Sequence, residues 1–494
     1  MRITAKEIEI ATGGAIVAGA ASAAAIGVST DTRGDCEGKL FVPLVGENFD
    51  GHNFIGAARG KGASIALCSR GDFNECGGPR DGGDRAPLTV IKVADTLAAL
   101  GKLAAWYRLK FNPLAVGVTG SVGKTTTKEM IALVLSKKFN VLKSTGNYNN
   151  EIGLPLTVFG LTEEHTAMVL EMGMNQPGEI GRLSKIARPD IAVITNIGYA
   201  HIEKLGTRQN ILKAKLEILE GLSKNGTVFL NGDDMLLNGL MGLIDRTLVY
   251  FGLDERLDVI GTDARARGED GLEFEFAWQA RSYNVRIHSA GIHNIHNALA
   301  AIAIGLQHDV PPEQIVEALS EYRSDKLRMN IMTIGQNRLI NDAYNANPQS
   351  MVAAIDVLAG LGGGGRRIAL LGNMLELGDY AQEHHREVGE YAAHKGVDVL
   401  IAVGANAADI AYGAKSAKGG PNGGRGVECH IFADHGGVAD CVMRLLQPGD
   451  DILVKGSRAM FMERLAEAIE AELNERLKIT GGSGFAEMPP HEIN

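Results

Sequence analysis

An α/β protein of three domains is what the sequence predicts, with a parallel sheet carrying a phosphate-binding loop in the middle domain and a Rossmann-like, doubly wound sheet in the last. Three observations lead there. A chain of 494 residues is too long for one ordinary core. From Pro113 onward apolar strand-like runs alternate with helical stretches, and after about Lys326 that alternation starts afresh.

Residues 1–110 read as a small α/β domain. They hold short apolar segments, KLFVPLV and ASIALCS, a polar glycine-rich loop from Gly71 to Ala86, and a helical stretch around Leu97 to Tyr107. The apolar run from Gly13 to Val28 is built of Ala and Gly and preceded by Glu7 and Glu9. It is expected to form a buried helix and strand rather than a signal segment. No other run is long or apolar enough to span a bilayer, so no membrane insertion is expected.

Residues 111–326 open with LAVGVTGSVGKTTTKEMIALVLSKK, an apolar strand, a glycine loop and an amphipathic helix in turn. Further strands are expected at AMVLEMG, IAVITNI and TVFLNG, and the region closes near the helix GIHNIHNALAAIAIGL. Such strands, separated mostly by helices, imply a parallel sheet covered on both faces. Residues 327–494 repeat the pattern at RLINDAYNANPQSMVAAIDVL, RIALLGN, VLIAVGA and DILVKGSRAMFMERLAEAI, with ligand-binding loops expected at the strand C-termini. Ala414 to Gly426 reads as a mobile insertion and the tail after about Thr480 as disordered.

Composition narrows the function classes. With 45% hydrophobic and 22% charged residues the chain reads as soluble and globular. A formal charge of −10 without a block of Lys and Arg argues against a nucleic-acid partner, so any polyanion must be met locally. Five scattered cysteines without a C-x-x-C pair suggest neither a disulfide framework nor zinc; reduced thiols in a cytoplasmic protein are expected. Nothing demands an oligomer, and a monomer is expected.

The strongest chemical signal is TGSVGKTTT, comprising Thr119, Gly120, Ser121, Val122, Gly123, Lys124, Thr125, Thr126 and Thr127, between a strand and a helix. Backbone N–H groups of such a loop, with the helix N-terminus behind them, converge on a polyphosphate. Lys124 would neutralise the outer phosphates and the Thr125 hydroxyl would reach Mg2+. The strict G-x-x-x-x-G-K-[ST] spacing is not met, because Val118 stands five before Gly123 and the glycine is Gly117. Glu171 in LEMG and His201 in NIGYAHIEKLG follow successive strands on the same edge and are candidate ligands of a second divalent cation. Taken singly, Glu171 is equally a structural carboxylate, an isolated histidine is more often structural, and Lys215 in KAKLEIL reads as a solvated lysine.

Together these segments resemble the Mur ligase family, ATP-dependent amide-forming enzymes of peptidoglycan synthesis. TGSVGKTTT, NYNNEIGLPLT (Asn147 to Thr157), LEMG, NIGYAHIE, KAKLEI and GIHNIHNALAA stand in the family's order. VSTDTRGDCEGKLFVPLVGENFDGHNFI is similar to the UDP-sugar-binding domain of the branch that adds later residues, and DAYNANPQSM and LLGNMLELGDYAQEHHREVG resemble the member that adds D-alanyl-D-alanine.

The resemblance implies an ATP-dependent ligase that activates the terminal carboxylate of a UDP-N-acetylmuramoyl-tripeptide as an acyl phosphate and transfers it to D-alanyl-D-alanine. It implies that Lys124 and Thr125 hold phosphates and Mg2+, that Glu171 and His201 are magnesium ligands, and that Lys215 is carbamylated. It further implies that Asn294 and Asn297 contact adenine, that Arg328 reaches the phosphates and that Asp342 binds the ribose. Ser29, Thr30, Asp31, Thr32 and Arg33, with Asp50, Gly51 and His52, would face the uridine nucleotide. Asn149 and Asn150 would face the muramoyl peptide, and Tyr344, Asn345, Asn347 and His385 the dipeptide.

Two departures stand out. Leu327 precedes Arg328 where the family often has glycine, and LGNM places Asn373 where an aspartate is usual. Among rivals, the ligase adding the third residue would show an Asp-Asn-Pro-Arg segment, and a nucleotide-switch GTPase an Asn-Lys-x-Asp motif. Neither occurs. A folylpolyglutamate-synthase-like enzyme would leave the first 110 residues unexplained. A kinase or other phosphate-loop NTPase would account for the glycine loop alone.

Overall fold

The computed structural model describes residues 1–70, 88–417 and 426–479. Three mixed α/β layers follow one another along the chain, as expected. The glycine-rich loop from Gly71 to Ala86 and the tail after Thr480 lie outside the described residues. Of the expected insertion, the first residues belong to the helix Ala407–Ser416, and 418–425 again lie outside.

The first sheet runs in the order Ala15–Ala18, Thr89–Lys92, Ile65–Cys68, Leu40–Phe41, Val28–Ser29. Its last four strands are parallel, while Ala15–Ala18 pairs antiparallel with Thr89–Lys92. The helix preceding it, Ala5–Thr12, begins with a reciprocal capping pair between Thr4 and Glu7 and stops at Gly13, whose φ of 72° suits glycine. This corrects the expectation for Gly13 to Val28. That run contains no helix, and of its residues only Ala25 is fully buried, because Ala and Gly offer little area to a core. The thiols need one correction as well: Cys36, Cys429 and Cys441 are free, but Cys68, at a strand end, is disulfide-bonded. Sequence spacing alone does not reveal what meets at a strand end.

The central sheet has nine strands in the order Arg281–Ile287, Leu272–Trp278, Val259–Ala266, Thr247–Gly252, Thr227–Asn231, Ile191–Ile194, Leu114–Thr119, Ala167–Glu171, Val141–Lys143. Pairing is parallel from Val141–Lys143 as far as Val259–Ala266, and antiparallel beyond. The antiparallel extension was not anticipated. Its signal is the period-two burial of Leu272, Phe274 and Phe276, which covers the helix His293–Gln307 from one side.

The third sheet runs Asn330–Ile334, Asn337–Asn341, Asp451–Lys455, Arg367–Gly372, Val399–Val403, Glu428–Phe432, parallel except for its first strand. Residues at or just past the C-terminal ends of strands in the central and third sheets, Ser121, Glu171, Asp342 and Lys455, line one cleft, as expected of open α/β sheets. No helix among the described residues is long and apolar enough to cross a membrane.

The helix Thr96–Arg108 joins the first layer to the second. Asp95 caps it by accepting from the Ala98 amide at 2.6 Å. Its apolar face, Ala99, Leu100, Leu103 and Ala104, shares one core with Leu154, Val158, Ile180 and Leu183 of the central layer. Two polar contacts fix the joint: the Tyr107 hydroxyl donates to the Leu161 carbonyl at 2.9 Å and Arg108 Nε to the Ala187 carbonyl at 3.2 Å. Truncating the fully buried Leu103 to Ala is expected to cost about 2–5 kcal/mol. Chemical denaturation of Leu103→Ala against the parent chain checks this; an unchanged midpoint would contradict a shared core.

Candidate functional site

The strand Leu114–Thr119 sits in the middle of the central sheet and delivers the glycine loop to its C-terminal edge. Gly120 has φ 149° and Gly123 φ 83°. A Cβ at Gly120 would lie 1.8 Å from Thr195 Oγ1, and one at Gly123 would lie 2.5 Å from Asn297 Oδ1, so both positions demand glycine. The neighbouring strand end holds the loop. The Ser121 amide donates to the Asn196 carbonyl at 3.1 Å and the Val122 amide to Asn196 Oδ1 at 2.9 Å, while Thr195 Oγ1 donates to the Val122 carbonyl at 2.6 Å.

Consequently the amides of Ser121 and Val122 are not open to a ligand, contrary to a cradle formed by the whole loop. The open donors come later. The helix Lys124–Ser136 makes its first internal bond from the Thr127 amide to the Gly123 carbonyl, so the amides of Lys124, Thr125 and Thr126 precede it and form the positive end of the helix.

One cleft of about 300 Å³ gathers most of the expected residues. Ser121 to Thr126, Asn149, Asn150, Glu171, His201 and Lys215 line it from the central layer, with Asn294 and Asn297. From the third come Arg328, Asp342, Tyr344, Asn345 and Asn347. Thr119 is buried beneath the loop, its hydroxyl donating to the Met172 carbonyl.

Glu171 is the acidic centre of the cleft. Only 2% exposed, it accepts from Thr125 Oγ1 at 2.8 Å and from Asn149 Nδ2 at 2.8 Å. Around it stand cations in excess. Lys124 donates to the Gly120 carbonyl at 3.0 Å. Burial pulls its pKa down and Arg328 adds to that, against the opposing pull of Glu171. Lys215 is likewise buried, and no hydrogen bond or ion pair engages it among the described residues. Burial, then the Lys124 charge, lowers its pKa well below the usual lysine value. Such a site favours a ligand that brings negative charge.

The third layer contributes a second group. Asp342 accepts from the Met329 amide at 3.0 Å and from Lys455 Nζ at 2.5 Å, and Lys455 also donates to the Asn345 carbonyl at 2.9 Å. The Arg328 guanidinium lies 3.7 Å from the Tyr344 ring centroid, a cation–π stack. His293, which also faces the cleft, has its pKa pushed down to about 4 by burial and is neutral at physiological pH.

Several expected residues also hold partners within the protein. Asn297 Oδ1 accepts from Thr127 Oγ1 at 3.0 Å, and its Nδ2 donates to Asn294 Oδ1 at 2.9 Å. Asn294 in turn donates to Ser289 Oγ and the Ala290 carbonyl. Asn150 accepts from the Ile152 and Gly153 amides, and Asn347 caps the helix Pro348–Gly360. His385 does not line the cleft. It is fully buried, its Nε2 accepting from the Met374 amide at 2.9 Å and its Nδ1 lying 2.6 Å from the Ala381 carbonyl, so both ring nitrogens are occupied in holding its own loop. Asn373 accepts from the Asn406 amide, also within the third layer.

The first-layer residues expected to face a nucleotide form a separate group around the ends of its parallel strands. Ser29 Oγ donates to the Asp31 carbonyl, and Arg33 pairs with Asp31 at 2.6 Å. Thr30 and Thr32 belong to the same turn, and Gly51 and His52 begin a short helical turn capped by Asp50. Asp50 lies 2.6 Å from both His52 Nδ1 and Arg70 Nη2, and the Arg70 guanidinium, first, holds its carboxyl well below the usual range.

Sequence reasoning missed Asn196, Lys455, His293 and Glu376. Asn196 stood in the quoted NIGYAHIE segment and Lys455 at a strand C-terminus, so both carried a usable signal. Glu376 Oε2 lies 2.5 Å from His201 Nδ1; that nitrogen is buried and has no aligned hydrogen bond among the described residues. No group of three or more His, Cys, Asp or Glu side chains poised for a metal occurs among the described residues.

Comparison with known proteins gives one consistent answer. The "Mur ligase family, catalytic domain" model matches residues 26–108, the "Mur ligase middle domain" 118–305 and the "Mur ligase, glutamate ligase domain" 327–458. The UDP-N-acetylmuramoyl-tripeptide--D-alanyl-D-alanine ligase of Bacillus subtilis (strain 168) is 38% identical over 450 residues, 91% of this chain and 94% of that protein. A crystal structure of MurF from Acinetobacter baumannii superposes with TM-score 0.85 at 31% identity, covering 95% of this chain and 99% of that one. MurF ligase from Thermotoga maritima, solved in complex with ADP, superposes with TM-score 0.78 at 30% identity, covering 91% and 98%.

The burial of Lys215 generates a pH prediction. An unfolded lysine titrates near 10.5 and the folded one well below. Between those values the unfolded chain binds a proton that the folded chain lacks, so stability rises with pH across that window. In buffer stripped of CO2, Lys215→Met is expected to stabilise the protein at about pH 7 and to flatten its rise in stability towards about pH 9. Urea denaturation at the two pH values reads both effects, and parallel curves for the two proteins would contradict the assignment.

Proposed function

This chain belongs to the Mur ligase family, and from that premise we propose that it is the ATP-dependent ligase that joins D-alanyl-D-alanine to a UDP-N-acetylmuramoyl-tripeptide. The observation that carries the reading is the single cleft in which Lys124, Glu171, His201 and Lys215 of the central layer face Arg328 and Asp342 of the third. A kinase or switch has no need of that third-layer group. The names of its relatives favour this acceptor over the ligase that adds the third residue.

The physical task is to make an amide from a carboxylate, which is a poor electrophile in water. In this reading the tripeptide carboxylate attacks the γ-phosphorus of ATP, ADP leaves, and an acyl phosphate forms. The dipeptide amine then attacks the acyl carbon, and phosphate departs from the tetrahedral intermediate. Both steps crowd negative charge. Lys124, the amides of Lys124 to Thr126 and Arg328 are placed to offset it. Asp342, held by Lys455 and the Met329 amide, keeps lone pairs for a ribose hydroxyl. The three units, taken as 1–110, 111–326 and 327–494, would present the UDP end, the nucleotide and the amine respectively.

The donor set also fits Mg2+. Glu171 is buried without an ion-pair partner, the Thr125 hydroxyl contacts it, and His201 faces the same cleft. Mg2+, when bound, supplies charge neutralisation at the phosphates. A carbamate on Lys215 would add a third anionic or imidazole donor to the two present. The amine is suited to that modification, because burial favours its neutral, nucleophilic form. The protein is proposed to act in the cytoplasm as a monomer.

Incubation with ATP, Mg2+, UDP-N-acetylmuramoyl-tripeptide and D-alanyl-D-alanine should yield a UDP product heavier by the dipeptide less water, read by mass spectrometry. Lys124→Ala is expected to lower turnover by about 10²- to 10³-fold or more while binding of the UDP substrate survives; near-normal turnover would remove the phosphate-loop assignment. Lys215→Ala should lose activity and regain part of it with acetate. Absence of any rescue counts against the carbamate.

A further inference from the structure

The contact between His201 and Glu376 joins two layers. His201 stands just before the short helix Ile202–Leu205 of the central layer, and Glu376 lies in the loop after the strand Arg367–Gly372 of the third. Both have left-handed backbones, φ 64° and 62°. Neither is glycine, so each conformation costs energy that the surroundings must supply.

Those surroundings are mutual. The Glu203 amide donates to the Glu376 carbonyl at 3.1 Å, and the Tyr380 hydroxyl to the Gly206 carbonyl at 3.4 Å. The Tyr199 ring packs edge-on against His384 at 4.4 Å. A Cβ at Gly378 would meet Glu203 at 3.1 Å, which shows how closely the two loops approach. Thus the third layer grips the segment that carries His201 by backbone, ring and carboxylate together.

We infer that Glu376 is a positioning residue: its carboxylate engages Nδ1 of His201, fixes the ring and leaves Nε2 as the nitrogen presented to the cleft. Among the described residues Nε2 makes no hydrogen bond. A carboxylate on the far nitrogen of a metal-binding histidine sets its tautomer and raises its basicity. Because this carboxylate arrives from the third layer, the phosphate-side site is complete only when that layer is seated. Acceptor binding and carboxylate activation are coupled through one side chain. The inference rests on the proposed role of His201 as a metal ligand.

Mn2+ binding to the full chain in the presence of ADP, followed by electron paramagnetic resonance, separates the two ideas. Glu376→Ala is expected to weaken Mn2+ binding about 10- to 100-fold. Glu376→Gln, whose Oε1 keeps an acceptor beside Nδ1 without the charge, should weaken it less. Binding of the UDP substrate, unchanged in both variants, reports an intact fold. If Glu376→Ala leaves Mn2+ affinity unchanged while His201→Ala weakens it, the positioning role is overturned and the metal role of His201 stands. Equal losses in the Ala and Gln variants would make Glu376 a direct ligand and also overturn the inference. An unaffected His201→Ala would remove the metal reading and this inference with it.

Discussion

Two lysines buried beside one carboxylate set the terms for the rest of the molecule. After burial, which lowers the proton affinity of both, the Lys124 charge lowers that of Lys215 further, and at Lys124 the pull of Glu171 opposes the push of Arg328. Water relieves this repulsion little, because Lys215 is buried and Lys124 half-buried, and in a medium of low dielectric the repulsion is weakly screened. A protein maintains such an arrangement only if folding elsewhere outweighs it, or if a ligand completes it. The nine-stranded sheet and its helices provide the first condition. A nucleoside triphosphate would provide the second, bringing anionic oxygens to the unpaired cations.

The joints between layers bear on how the site is assembled. Between the first and central layers lies a continuous apolar core, with Leu100 and Leu103 packed in the same cluster as Leu183 and Ile180. The same apolar cluster continues into the third layer, where Leu205 shares it with Met374 and Leu377, and polar contacts join the two layers beside it: Thr333 with Glu269, Tyr380 with Gly206 and Glu376 with His201. Two cavities also lie along that second joint, one lined by Lys124, Glu171, Arg328 and Asp342 and another bounded by Gly291, Ala353, Val357 and Lys395. The room for a ligand therefore lies between the central and third layers.

Local grammar made much of this legible. The glycine loop, Glu171 and His201 declare themselves because each follows an apolar strand, and parallel strands put their C-termini on one edge. What stayed hidden depends on partners far along the chain. Lys455 acquires its meaning from Asp342, 113 residues earlier, and Glu376 from a loop in another layer. The hairpin Leu272–Trp278 with Arg281–Ile287 escaped attention because expectation had settled on helices between strands, although its alternation is plain. Gly13 to Val28 misled in the opposite direction: low polarity there reflects small side chains rather than buried ones. His385 shows the limit of motif matching, for it belongs to a recognisable segment yet does not line the cleft, and both its ring nitrogens are engaged by its own loop.

That last point extends to the DAYNANPQSM segment as a whole. Asn347 caps the following helix and Asn345 accepts from the amides of Ala346 and Arg458. Each side chain closes a backbone turn, and the turn is what aims Asp342 and Tyr344 into the cleft. Lys455 ties the same turn to the neighbouring strand by donating to both Asp342 and the Asn345 carbonyl. The arrangement is a small rigid bracket, with two asparagines and a lysine maintaining its shape so that one carboxylate and one ring can face a ligand. Specificity at such a bracket depends on the angle at which the ring and carboxylate are held. A change at either asparagine would disturb the turn that sets that angle.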